Sequence, residues 1–474
     1  MTIDDHEWLF NAQTFLLNPS LAHRLSTHCI TMTEPLSIVW LRRDLRLHDN
    51  AALYYALKSG KPVLVVFVFD RLILDILEDR LDRRVEFIHT EIHKIHEQLV
   101  KMGSGIIARY GRPIDVLKQL TDEFTVADVY TNYDYEVYAK ERDAAVKAML
   151  AERGIGFHTS KDQTILDRDE VVSGGGSPYT VFTPYGNNWA GKLASDAGRF
   201  YLKSYPTERY FNNFYKLQAS TDQASGIPTL QEMNFSALGE SFPKPVVSKE
   251  LLLAYQKMRD YPARTGTSEL GIHLRFGTIS IRDLARQAQE TSPTFFKELA
   301  WRDFYFQVLD HFPHVEKHSF RREYDNIRWR NNEAEFERWC AGETGYPLVD
   351  AGMRQLNTTG WMHNRVRMVT ASFCIKHLLI DWRWGEAYFA RKLRDYDLAA
   401  NNGGWQWAAG SGTDAAPYFR VFNPALQAQK FDPQGEYIRK WVPEFNGLNY
   451  VQPIVEHTFA RQRAIDTYKK ALAK

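Results

Sequence analysis

Near the C-terminus the chain reads Asp395-Tyr-Asp-Leu-Ala-Ala-Asn-Asn-Gly-Gly-Trp-Gln-Trp407, followed by Gly412-Thr-Asp-Ala-Ala-Pro-Tyr-Phe-Arg420. The first run gathers two carboxylates, a carboxamide pair, a Gly-Gly turn and two tryptophans. Carboxylates and amides can grip a polar ring and tune it by hydrogen bonds. Glycines allow the backbone to approach a flat ligand closely. Trp405 and Trp407 offer large π surfaces that can stack or carry an electron. No ordinary hydrolase needs that mixture, whereas a protein that holds a flavin has a use for all of it.

Other segments add to this chemistry. In Thr265-Gly-Thr-Ser-Glu-Leu-Gly271, Thr267 and Ser268 bring hydroxyls and backbone N–H groups to an expected helix start. Such a start cradles a pyrophosphate, or is simply an N-cap. In Glu298-Leu-Ala-Trp-Arg-Asp-Phe-Tyr305 a carboxyl stands on a mostly apolar helix. It is costly to bury unpaired, and its structural partner would be Arg302 or Arg365. Three further runs are distinctive: Arg42-Arg-Asp-Leu-Arg-Leu-His-Asp-Asn50, Tyr179-Thr-Val-Phe-Thr-Pro-Tyr185 and Thr359-Gly-Trp-Met-His-Asn-Arg-Val-Arg-Met368.

Together these motifs, spread over roughly residues 36–460, resemble the photolyase/cryptochrome family, and look most like its class I cyclobutane pyrimidine dimer photolyases. The resemblance implies an N-terminal α/β domain and an all-helical C-terminal domain that binds U-shaped FAD. It implies flavin contacts from Tyr255, Thr267, Ser268, Glu269, Leu270, Gly271, Phe295, Arg302, Arg367, Asp395, Tyr396, Asp397 and Asn401, with Asn401 over flavin N5. Phe295 stands where the family usually has Trp, which keeps an aromatic wall and loses an indole N–H. Glu298, Trp301, Asn364 and Met368 match the substrate pocket, and with Asn401 they form the implied catalytic set. Trp405, Trp382 and Trp329 match the electron-transfer chain. Implied DNA contacts are Arg259, Glu298, Trp301, Asn364, Arg365, Arg420 and Gln427, with Lys430 a further candidate. The implied activity is light-driven repair of pyrimidine dimers in double-stranded DNA. The alternative is a cryptochrome-type photoreceptor without repair. Such photoreceptors often carry long C-terminal extensions, and the chain's stop at Lys474 together with the intact pocket residues favours repair.

The resemblance places any antenna chromophore in the N-terminal domain, with a deazaflavin, another flavin or an empty pocket all open. Tyr138 and Ala139 stand where the family's folate site has an Asn-Glu pair, which weakens a folate.

The elements that position these residues follow from periodicity. Leu36–Trp40, Pro62–Phe69, Gly105–Ala108 and Val126–Tyr130 read as strands. Asn50–Leu57, Arg80–Lys101, Pro113–Asp122 and Glu136–Arg153 read as helices between them. That order predicts a doubly wound parallel sheet over 36–165. No Gly-x-Gly-x-x-Gly follows the first strand, which excludes the usual dinucleotide site. Residues 1–35 read as a tail and 166–240 as an inter-domain connection opened by Ser173-Gly-Gly-Gly-Ser177. Residues 241–474 read as helical, over Leu251–Arg259, Ser280–Glu290, Phe295–His311, Pro347–Thr358, Arg365–Leu378 and Trp384–Arg394.

The chain of 474 residues is 44% hydrophobic and 25% charged, a globular composition. Its net charge of +1 hides an asymmetry. Residues 241–474 carry 33 basic against 26 acidic side chains, and residues 1–240 carry 26 against 32. A basic, tryptophan-rich half suits contact with nucleic acid. Cys29, Cys340 and Cys374 are too scattered for a disulfide framework or a metal cluster, so no metal is expected. The start lacks a signal-peptide pattern. A cytoplasmic monomer without membrane contact is expected.

Overall fold

In the computed structural model, residues 34–217 and 226–473 are described. Cys29 and all of the expected tail but Glu34 and Pro35 lie outside them. Five strands, β1 (Leu36–Leu41), β2 (Val63–Asp70), β3 (Ile106–Gly111), β4 (Val126–Asn132) and β5 (Gly156–Ser160), form one sheet in the order β3-β2-β1-β4-β5. Every pairing is parallel, with Val39 opposite Val65 and Tyr130.

β1 and β2 are buried along their whole length, as near-continuous apolar runs in a covered parallel sheet should be. Their side chains alternate between two cores. Val39, Leu41, Val63, Val65 and Phe67 face one cluster with Val85, Phe87 and Ile92 of the Arg83–Val100 helix. Ile38, Trp40, Leu64 and Val66 face another with Val116, Leu117 and Leu120 of the Pro113–Glu123 helix, and Val146 and Leu150 of the Val137–Glu152 helix.

β5 is a strand that periodicity did not reveal. Its sequence, Gly-Phe-His-Thr-Ser, is polar because it occupies the sheet edge. The connecting region also holds a helix, Phe182–Ala194. Its Pro184, Gly186 and two asparagines masked the pattern. Phe182, Tyr185 and Trp189 bury its inner face against Leu299, Ala300 and Phe304 of the Pro293–His311 helix.

The helical region places Lys249–Met258, Gly271–Phe276, Pro293–His311, Pro347–Thr359, Asn364–Ser372, Trp382–Lys392 and Leu398–Ala409 around two apolar clusters. The run expected to stay helical to Leu378 changes to π geometry over Phe373–His377. The supposed Gly-Gly turn is helix interior: Gly403 and Gly404 lie inside Leu398–Ala409. A Cβ on Gly403 would run into the Tyr305 ring, while Gly404 faces open space. Glycine therefore serves helix–helix approach at one position and a cavity at the next.

Candidate functional site: a cavity between three helices

Three helix faces converge on a cavity of ≈ 380 Å³. Pro293–His311 contributes Glu298, Trp301 and Tyr305. Asn364–Ser372 contributes Asn364, Arg367, Met368 and Ala371. Leu398–Ala409 and the residues before it contribute Asp395, Tyr396, Asp397, Ala400, Asn401, Gly404 and Trp405. The spacings of three, four and seven residues put each set on one face of its helix. Arg259 and Trp407 also line the cavity.

Its polar groups are held from behind. Arg367 Nη2 lies 2.8 Å and 3.1 Å from the two oxygens of Asp395, and its Nε donates to the Met362 carbonyl at 2.7 Å. A Cβ on Gly271 would lie 2.7 Å from Asp395 Oδ2, so glycine at that position lets the 265–271 loop close against this carboxylate. Asp397 caps the Leu398–Ala409 helix by accepting from the Ala399 N–H at 3.1 Å. Burial pushes the Asp397 carboxyl up, but Arg43, Arg275 and Arg302 outweigh it and hold it below the usual carboxylate range. The Asn401 amide nitrogen donates to Glu386 Oε1 at 2.8 Å and to the Glu386 carbonyl at 3.2 Å. Both partners are on the nitrogen side, so the Asn401 carbonyl oxygen is left to accept. The sequence alone left the direction of this amide open.

Trp301 is a flat platform with a backing. Phe182 stacks on it at 3.6 Å between ring centroids and 6° between planes. Nothing in the sequence singled out Phe182 beyond its motif. Glu298 pairs with Arg259, at 2.5 Å, and neither Arg302 nor Arg365 is its partner. Arg365 instead reaches Asp260 at 2.6 Å and lies over Phe431. Arg302 donates to the carbonyls of Gln163 and Leu274, away from the cavity lining.

Tyr255 and Phe295 are buried and meet edge to face at 4.9 Å. Thr267 and Ser268 lie in the loop before the Gly271–Phe276 helix, where the Ser268 hydroxyl accepts from the Leu270 N–H at 3.4 Å. Glu269 has a left-handed φ of 51° and receives Arg394 at 2.7 Å. Leu270 is buried in the apolar cluster. Arg420 and Lys430 are exposed, and Gln427 is half-buried.

Trp405 and Trp382 are buried in one cluster, and Trp329 packs half-buried against it. A Cβ on Gly385, one turn from Trp382, would collide with the Trp405 ring. The aromatic rings in direct contact with Trp405 are Phe389 at 5.0 Å and Trp339 at 6.1 Å. Trp329 meets Tyr468 at 5.9 Å.

A second, smaller cavity of ≈ 140 Å³ opens at the carboxyl ends of β1 and β2, lined in part by Trp40, Arg42, Phe69, Asp70, Tyr138 and Arg142. Open α/β sheets bind ligands at such ends. Tyr138 donates to Asp70 at 2.5 Å. Among the described residues no helix is long and apolar enough to cross a membrane, and no group of His, Cys, Asp and Glu has the arrangement of a metal site.

An α/β sheet joined to a helical region that encloses a polar, aromatic cavity is an architecture able to hold a flat, polar cofactor. Residues 37–202 match the DNA photolyase family model, and residues 295–449 match the FAD binding domain of DNA photolyase. The deoxyribodipyrimidine photo-lyase of Escherichia coli is 36% identical over 480 residues, covering 92% of this chain and 98% of that protein. A class III photolyase from Agrobacterium tumefaciens superposes with a TM-score of 0.80 at 31% identity, over 94% of this chain and 99% of the other. An archaeal photolyase from Sulfolobus tokodaii, solved with two FAD molecules, gives 0.74 at 33% identity over 92% and 99%. The chain belongs to the photolyase/cryptochrome family and binds FAD. The first cavity fits that cofactor chemically: Asp395, Asp397 and Asn401 offer acceptors of the kind a ring's N–H groups need, and Trp405 and Phe389 supply aromatic walls.

Proposed function

We propose that this protein splits cyclobutane pyrimidine dimers in double-stranded DNA, using light and FAD. One observation carries the reading: Glu298, Trp301, Asn364 and Met368 line the same cavity as Asp395, Asp397 and Asn401. A light sensor without a substrate would need only the second group. When bound and reduced, FAD supplies the light-excited electron. The protein supplies the rest. Trp301 stacks on the extruded dimer, Asn364 hydrogen-bonds a base edge, and Met368 packs beside it. Glu298 lines the cavity paired with Arg259; on this reading the pair opens when the dimer enters, and Glu298 in its neutral acid form donates to a pyrimidine carbonyl and so stabilises the negative charge gathering there. Photolyases are an established instance of enzymes that take their target out of the stack, and a poorly stacked lesion lowers that cost of a few kcal/mol. Thr267 and Ser268 hold the pyrophosphate, Arg420 and Gln427 meet the DNA backbone, and Trp382 and Trp329 relay electrons to the cavity. The second cavity holds the antenna chromophore.

The test uses a thymine-dimer oligonucleotide under blue or near-UV light, with (6-4) lesions as control. The reduced wild type is expected to restore the thymines, and Glu298→Ala to lower the repair yield per photon while FAD stays bound. A reduced wild type that leaves the dimer intact overturns the proposal.

A further inference from the structure

The two cavities share a wall. Asp397 lines the first, while Arg43, Asp134, Glu136 and Arg275 line the second. Arg43 bridges them. Its Nη2 lies 2.5 Å from Asp397 Oδ2, and its Nη1 lies 3.1 Å from Asp134 Oδ1 and 3.0 Å from Glu136 Oε1. Its Nε donates to the Arg275 carbonyl at 3.3 Å. Arg275 Nη1 is 2.7 Å from Glu136 Oε1 and 3.6 Å from Asp397 Oδ2. The Arg43 and Asp397 side chains are 9% and 12% exposed, so salt and water screen the pair little.

The charges in this wall do not cancel. Two guanidinium ions face three carboxylates, so no carboxylate has a cation to itself. Asp397 Oδ1 is committed to the helix N–H of Ala399, and Arg43 fixes Oδ2. Without Arg43, Asp134, Glu136 and Asp397 would share Arg275, with Arg302 acting on Asp397 and Arg42 on Asp134. Asp397 would then take up a proton or turn from the cavity. An ion bound 354 positions away in sequence thus sets the direction of a carboxylate in the flavin cavity.

We propose that Arg43, a residue of the sheet region, is a positioning residue for FAD. It acts through Asp397, and Asp134 and Glu136 hold it in place. The inference rests on FAD occupying the first cavity.

The experiment reconstitutes the full-length apoprotein with FAD and measures affinity by flavin fluorescence. It compares the wild type, Arg43→Met, Asp397→Asn and the double variant, with the melting temperature of each apoprotein alongside. Charge-assisted hydrogen bonds of this kind set an expected loss of roughly 10- to 100-fold for Arg43→Met. Asp397→Asn keeps a capping oxygen but no longer needs a cation. The double variant is therefore expected to bind FAD no worse than Asp397→Asn alone. Losses that simply multiply would overturn the proposal, because Arg43 would then act independently of Asp397. If Arg43→Met does not accumulate folded, Arg43→Lys carries the same cycle, since one ammonium lacks the fork that spans both sides. A wild type that binds no FAD refutes the flavin assignment itself. A wild type that binds FAD while the cycle is additive refutes only the role of Arg43.

Discussion

Trp301→Ala is the substitution whose effect the geometry specifies most closely. One face of the indole is covered by Phe182 at 3.6 Å, and the residue lines the cavity. The free face is the one a base can use. Base–aromatic stacking is worth ~1–3 kcal/mol per base, which corresponds to a loss of roughly 5- to 150-fold in affinity for damaged DNA. Trp301→Phe keeps a flat ring and should fall between wild type and alanine. Phe182→Ala leaves the indole in place but removes its backing, so the platform gains freedom to tilt. An aromatic pair contributes ~0.5–1.5 kcal/mol beyond its burial, and the expected loss there is about 2- to 10-fold. The assay is fluorescence anisotropy in the dark, with matched duplexes that do and do not carry a thymine dimer. The reasoning requires that damaged DNA lose more than undamaged DNA. Equal losses on both duplexes, or wild-type binding by Trp301→Ala, would refute it.

Trp382→Phe and Trp329→Phe are each expected to slow photoreduction of bound FAD sharply while FAD retention in the dark is unchanged; flash absorption measures the rate, and wild-type rates in both variants would send the electrons by another route, of which the Trp405–Trp339 contact is the nearest. His363 supplies an acid sensitivity: burial, helped by Arg367 and Arg365, pushes its imidazole down to about 4 from the ordinary 6.5. The unfolded chain takes up a proton below 6.5 that the folded chain refuses, so this contribution is complete above pH 6.5 and declines towards pH 4, by ~3 kcal/mol at most. His363→Asn keeps an oxygen for the Arg365 N–H and should lose less stability between pH 7.5 and 4.5 in urea unfolding, whereas an equal loss in both proteins would assign the acid sensitivity elsewhere.

The sheet region was legible because β1 and β2 are buried on both faces and write apolar runs broken only by Ser37 and the terminal Asp70. β5 was not, because an edge strand tolerates His158 and Thr159. The cavity-lining helices were legible for the same reason that they line a cavity: Glu298 and Trp301, or Asn364 and Met368, repeat at helical spacing. Partner choice was not. Glu298 meets Arg259, 39 positions upstream, where the sequence offered Arg302 or Arg365. The direction of the Asn401 amide depends on Glu386, on a different helix. The glycines misled in a specific way. Gly403 is demanded by Tyr305, a ring nearly a hundred residues earlier, and no local rule reports that.

The Leu398–Ala409 helix has a consequence beyond geometry. Its two asparagines and two glycines make it a poor helix former in isolation, each glycine costing about 1 kcal/mol against alanine. It is ordered by its surroundings, and one side of it is the cavity wall. A ligand that fills the cavity therefore also completes the environment of this helix. Saturation at a hundred times the dissociation constant adds about 2.7 kcal/mol to a folded chain. Removal of FAD is therefore expected to lower the melting temperature and to make this helix the first segment cut in limited proteolysis.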